Sequence, residues 1–217
     1  EGIKSINKEI SKARDFSMKL RNSPSLIREL KKIFELKNIP FLIPETDMNT
    51  RWNSMYIMLE KLQQIHPITD IFVASNQTLK PNYPNEQEWK IIFDLLILLE
   101  PMYHATIMLS SSTLPTQGDL RMIFHSLIIH LNNNESPEIN SQHAVASAMK
   151  VKFTSYWAHL NESSTISGLL DPCNKLSTFD IYEHEEAINK LHEIHKKYKP
   201  TEENKPLPPP TTAKSTR

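Results

Sequence analysis

Apolar residues recur along most of this chain at the spacing of an α-helix, and that periodicity excludes more folds than any other feature. The first example runs through Ile3, Ile6, Ile10, Ala13, Phe16 and Leu20, with lysines opposite. Steps of three and four residues place these side chains on one stripe, which must be buried against another element. Glycine occurs only three times in 217 residues, and no stretch alternates as a strand would. The expected fold class is therefore mostly α.

Start and stop signals divide the pattern into helices. Ser23 and Pro24 supply an N-cap and a first-turn proline for a helix over 24–37. Two prolines exclude helix in "NIPFLIPET", after which Asn49 or Thr50 can cap a helix over 51–65 that stops near Pro67, with "ITDIFVAS" as a second short helix. The loop "NQTLKPNYPNEQ" leads into a long apolar pattern from Trp89 to Leu99, which Pro101 should kink or break before "MYHATIMLSS" resumes it. Pro115 and Thr116 cap a helix over 117–132, and "NSQHAVASAMKVKFTSYWAHL" makes another that ends near Asn161. A charged helix is expected over 181–198, and the proline-rich remainder, 199–217, reads as a disordered tail. No period of 20 to 50 residues indicates a solenoid.

A chain of 217 residues can bury a real core. It begins with Glu1 rather than Met and shows no leader pattern, which is the expectation for a fragment or processed product. The longest apolar run, "IIFDLLILL", is interrupted by Asp94, so the reading is a core helix and no membrane partner. Cys173 stands alone, which rules out an internal disulfide and fits a reducing compartment, cytosol or nucleus. Formal charge is zero, yet residues 1–37 hold ten Lys/Arg against five Asp/Glu, while residues 38–180 hold eight against fourteen. The basic end is either a solvated helix face or a surface that lines a polyanion.

Catalytic constellations are sparse. His184, Glu185, His192, Glu193 and His195 share one helix, but His192 and His195 are three apart and lack the H-E-x-x-H arrangement of a zinc helix, so no metal or other cofactor is expected. There is no G-x-S-x-G, no glycine-rich phosphate loop, and no histidine beside Cys173 in "LLDPCNK". Acid pairs such as Glu45/Asp47 and Glu86/Glu88 are the pattern of helix caps and wet surfaces. Trp89, Tyr156 and Trp157 fall on apolar faces and are expected in the core. Trp52 differs, because it opens its helix beside Arg51, a cation at the end where the macrodipole disfavours one. Either the ring staples onto the core, or it stacks an unpaired base whose backbone Arg51 neutralises.

Three stretches together resemble the helical part of the hAT superfamily of transposases and their zinc-finger BED relatives. "TRWNSMYIMLEKL" is similar to the family's T-R-W-N-S motif. "EWKIIFDLLILLEPMYHATIMLSSSTLPT" carries a second motif through Trp89, Leu95, Leu99, Pro101, Thr106, Leu109, Ser110, Pro115 and Thr116. Lys152, Tyr156, Trp157, Leu170, Asp171, Pro172 and Lys175 match a K-x-x-x-Y-W followed by a leucine-aspartate-proline stop. The resemblance implies a helical insertion of a ribonuclease H-like transposase over 1–180, with DNA as partner, a possible homo-oligomer, and a nuclear location. It also implies that the three metal-binding carboxylates of catalysis lie outside residues 1–217, so the chain itself is not an enzyme. The family's tryptophan associated with a flipped base matches Trp52, with Arg51 beside it as the second DNA-binding residue. A helical protein-interaction module without a DNA role is the competing class.

Overall fold

A computed structural model describes residues 6–43, 52–110, 117–134 and 140–199. Those residues form seven α-helices in the order α1 (Asn7–Arg21), α2 (Pro24–Leu36), α3 (Trp52–Ser75), α4 (Glu86–Leu109), α5 (Gln117–Asn133), α6 (Asn140–Leu170) and α7 (His184–Tyr198), joined in places by short 3-10 turns. Among the described residues there is no strand, so the mostly α expectation holds. The tail from Pro200, the caps Asn49, Thr50, Pro115 and Thr116, and Arg51 lie outside the described residues.

Local chemistry sets the first boundaries as the sequence implies. The Ser23 hydroxyl accepts from the Leu26 amide, and Pro24 occupies the first turn of α2, where its missing N–H has no intrahelical partner to lose. At the other end Asn38 adopts φ 54°, its amide donates to Glu35 O and the Ile39 amide to Phe34 O, both at 3.0 Å. That pair of bonds is a Schellman ending, with asparagine tolerated in the left-handed conformation and Pro40 preventing any continuation. Asn85 and Glu88 form a reciprocal capping box that starts α4.

Two expected boundaries are overturned. Pro67 does not stop a helix at 65, and no separate short helix follows, because α3 runs unbroken to Ser75 with Pro67 inside it. Pro67 removes the bond to the Gln63 carbonyl, but both residues face water, so solvent satisfies the freed acceptor. Meanwhile Leu62, Ile65, Ile68, Thr69, Phe72 and Val73 continue a buried stripe across the proline. Pro101 lies within α4, which excludes a break there but not the kink that was the other expectation, and the carbonyl it frees belongs to Ile97, a residue 55% exposed. The helix expected to end near Asn161 extends to Leu170. Along its polar stretch Ser163, Ser164, Thr165 and Ser167 return their hydroxyls to carbonyls three or four residues back, within the helix itself.

The core forms between α1, α2, α3 and α4 and extends into α5 and the first part of α6. Helix α4 is its axis: it packs against α1, α3, α5 and α6 and buries Trp89, Ile92, Leu95, Leu96, Leu98, Leu99 and Met102. Among the described residues it is also the one helix long and apolar enough to cross a membrane by length and composition. Trp89 is in the core as expected, but Tyr156 is not: it is 60% exposed, while Trp157 is half-buried. Beyond its first turns α6 packs mainly on α5 through Phe153 and Trp157, and Tyr156 lies about 100° round the helix from Trp157.

Candidate nucleic-acid interface

Trp52 is the first residue of α3, and the helix it opens is buried from its second turn on. Met55, Leu59 and Leu62 are 6% exposed or less, whereas Trp52 is 37% exposed. Tyr56, one turn later, stacks on Tyr103 of α4 with ring centroids 4.6 Å apart. Burial pushes the Tyr56 hydroxyl up to about 12, with Glu60 and Glu100 adding to the shift, so this ring stays neutral and fixes the start of α3 against α4. Trp52 is thus carried by an anchored turn while one part of its ring remains in water.

The other part of that ring faces a cavity of about 420 Å³ walled by α4, α5 and α6. Leu99, Met102 and Leu109 line one side, Phe124 and Leu127 another, and Met149 and Phe153 a third. Next to the tryptophan, Asn53 Oδ1 is buried with no hydrogen-bond partner. The two readings of Trp52 therefore meet in one side chain, which lines an apolar cavity and is 37% exposed.

The basic segment divides in the structure. Lys12 Nζ lies 2.6 Å from Glu88 Oε2, and Lys19 Nζ donates to Thr78 O at 2.8 Å and to Asn82 Oδ1 at 3.1 Å. These lysines of α1 hold the start of α4 and the turn before it. Glu88 shows the consequence: desolvation raises its pKa, but the Lys12 contact and the Asn85 amide outweigh it and hold the carboxyl below its usual value. Lys8, Arg21, Arg28, Lys31, Lys32 and Lys37 are exposed on α1 and α2. Lys31 lies 3.9 Å from Glu35 one turn away, a surface pair of small energetic weight.

The remaining candidates separate clearly. Glu45 and Asp47 lie outside the described residues, and Glu88 is a cap rather than a ligand. No group of three or more His, Cys, Asp and Glu among the described residues is placed to hold a metal ion, and His184 faces the Phe179 carbonyl at 3.2 Å. Cys173 is exposed. Asp171 accepts from the Cys173 amide at 2.9 Å and from Asn174 Nδ2 at 3.1 Å, which makes it the turn-forming residue that ends α6.

Arg121 is the residue that sequence reasoning missed. It is 1% exposed, and its guanidinium lies 3.9 Å from the Phe179 ring centroid and 5.0 Å from that of Trp157. It donates to Asn161 Oδ1, Glu183 Oε2 and Thr178 O, joining α5 and α6 to the turns that precede α7. Its signal was present as one cation inside "DLRMIFHSLIIHL", an otherwise apolar helical run.

Known proteins complete the picture. Residues 1–96 match the family model described as the ZBED1 RNase-like helical domain. The chain is 24% identical over 196 residues to a putative AC transposase of Zea mays, covering 84% of this chain and 23% of that protein. A second relative, a putative transcriptional regulator tpeD of Talaromyces stipitatus, is 26% identical over 151 residues, 67% of this chain and 16% of the relative. The chain thus spans about a fifth of the length of these curated relatives. No solved structure matches it.

Proposed function

We propose that this chain is the DNA-binding helical insertion of a hAT-type transposase or domesticated descendant, with Arg51 and Trp52 at the DNA contact. The observation that carries the reading is the exposure of Trp52, 37%, at the head of a helix that buries Met55, Tyr56, Met58, Leu59 and Leu62. An aromatic face left in water on an anchored turn is a platform for an unpaired base. The exposed cations of α1 and α2 supply charge of the right sign for phosphates. The chain works in the nucleus, residues 1–180 form the insertion, 181–198 an appended helix and 199–217 a tail.

Trp52→Ala is the test. Loss of a stacked base weakens binding to hairpin or mismatched DNA by about 1 to 3 kcal/mol and leaves the melting curve nearly unchanged. A core tryptophan would instead lose about 3 to 5 kcal/mol of folding stability with normal DNA affinity in the folded fraction, and that result sinks the proposal. The chain holds no complete Asp/Asp/Glu set in this reading, so purified protein shows no magnesium- or manganese-dependent cleavage; reproducible cleavage that requires either metal would refute that part.

A further inference from the structure

Among the described residues that line the cavity behind Trp52, none carries an ionisable side chain. The one hydroxyl among them, Thr106 Oγ1, donates to Met102 O at 2.9 Å within its own helix. The volume, about 420 Å³, falls in the range of small-molecule sites rather than of packing defects. We propose that this cavity binds an uncharged, purely apolar small molecule of the fused aromatic hydrocarbon class, and that a nucleobase is not its occupant.

Two features of the lining select that class. The rings of Trp52, Phe124 and Phe153 offer faces and edges to a planar guest, while the thioethers of Met102 and Met149 adapt to its outline and favour contact with aromatic carbon. An apolar cavity of this kind gains nothing from water and admits aromatic guests readily. A base, by contrast, carries several donors and acceptors on its edge. Against the described lining residues they would lose water and find no partner, which rejects it strongly. Stacking of a base on Trp52 is therefore confined to the face of the ring that solvent reaches. The inference does not rest on DNA binding, and a chain with no DNA affinity would leave it standing.

Methyl NMR of the chain labelled at the methionine methyl groups tests it, with naphthalene as probe and adenine as counter-probe. Met102 and Met149 line the cavity, whereas Met58 is fully buried on α3 away from it. Naphthalene shifts the Met102 and Met149 signals saturably and leaves Met58 in place, while adenine moves none of the three. Ala105→Leu, which adds volume at the wall, weakens naphthalene at least tenfold, with the Met58 signal reporting that the core is intact. Should that variant fail to fold, the unmodified chain decides alone. Absence of a saturable shift overturns the site, as does adenine moving the same two methyls at the same concentration.

Discussion

Gly118 occupies the first turn of α5, where a Cβ would stand 2.7 Å from Asp171 Oδ2 and 3.1 Å from Asn174 Nδ2. Asp171 is held by its turn, through the Cys173 amide and Asn174, and cannot swing aside without releasing both bonds. Gly118→Ala is expected to destabilise the fold by about 1 to 3 kcal/mol, the range for overpacking, despite alanine's better helix propensity. A urea midpoint equal to or above that of the unmodified chain would show that the turn yields. Arg121 is a second point at which one side chain governs several elements. Burial pushes its pKa down and Glu183 opposes that shift, so the guanidinium keeps its charge while stacked between Phe179 and Trp157. Lysine cannot reproduce the planar fork or the stacking. Arg121→Lys is expected to cost about 2 kcal/mol, the scale of a hydrogen bond to a charged group, measured as a fall in the denaturation midpoint at unchanged slope.

At the scale of elements, prolines explain where sequence reading succeeded and where it failed. Pro24 and Pro40 mark real helix limits because the backbone around them needs a missing donor or an extended preceding residue. Pro67 carries the same local signal but sits on the wet side of a helix whose opposite face is buried, information that a sequence window does not hold. The same limit hid Arg121, since its partners Asn161 and Glu183 lie far along the chain, and it misplaced Tyr156, whose apolar surroundings in sequence face solvent in space. The all-helical class and the Ser23–Pro24 start of α2 were legible because each depends on residues within a turn or two. Pro67→Ala follows as a prediction: it restores the bond to Gln63 and relieves the ring clash, offset by greater freedom of the unfolded chain. A net stabilisation of about 1 to 2 kcal/mol is expected in the urea midpoint; a lower midpoint would mean that the proline ring is itself packed. The join between α1 and α4 is pH-dependent. The Glu88 carboxyl has a folded pKa below its unfolded value, so its contribution is present above the ordinary carboxylate range and is lost as pH falls through the folded pKa. Lys12→Met is expected to flatten that acid limb of the stability profile, and an unchanged limb would place the coupling elsewhere.

Across the whole molecule, burial is unevenly distributed. Helices α3 and α4 each bury nine or more residues, whereas α7 buries only Ala187. What ties the end of the described chain to the rest is narrow: α7 packs on α6, and the turn before it is held by Glu183 on Arg121 and by Phe179 against the same guanidinium. Opening free energies follow burial, so amides of α3 and α4 should exchange only through global unfolding, while those of α7 exchange by local release. Hydrogen exchange at neutral pH is therefore expected to be at least about tenfold faster in α7 than in α3 or α4, a difference of roughly 1.4 kcal/mol in opening. Arg121→Lys should widen that gap, because it weakens the tether of α7 while leaving the contacts between α3 and α4 untouched. Equal protection in α7 and α4, or a loss of protection in α4 equal to that in α7 on substitution, would mean that the molecule opens as one cooperative unit and that Arg121 acts on all of it.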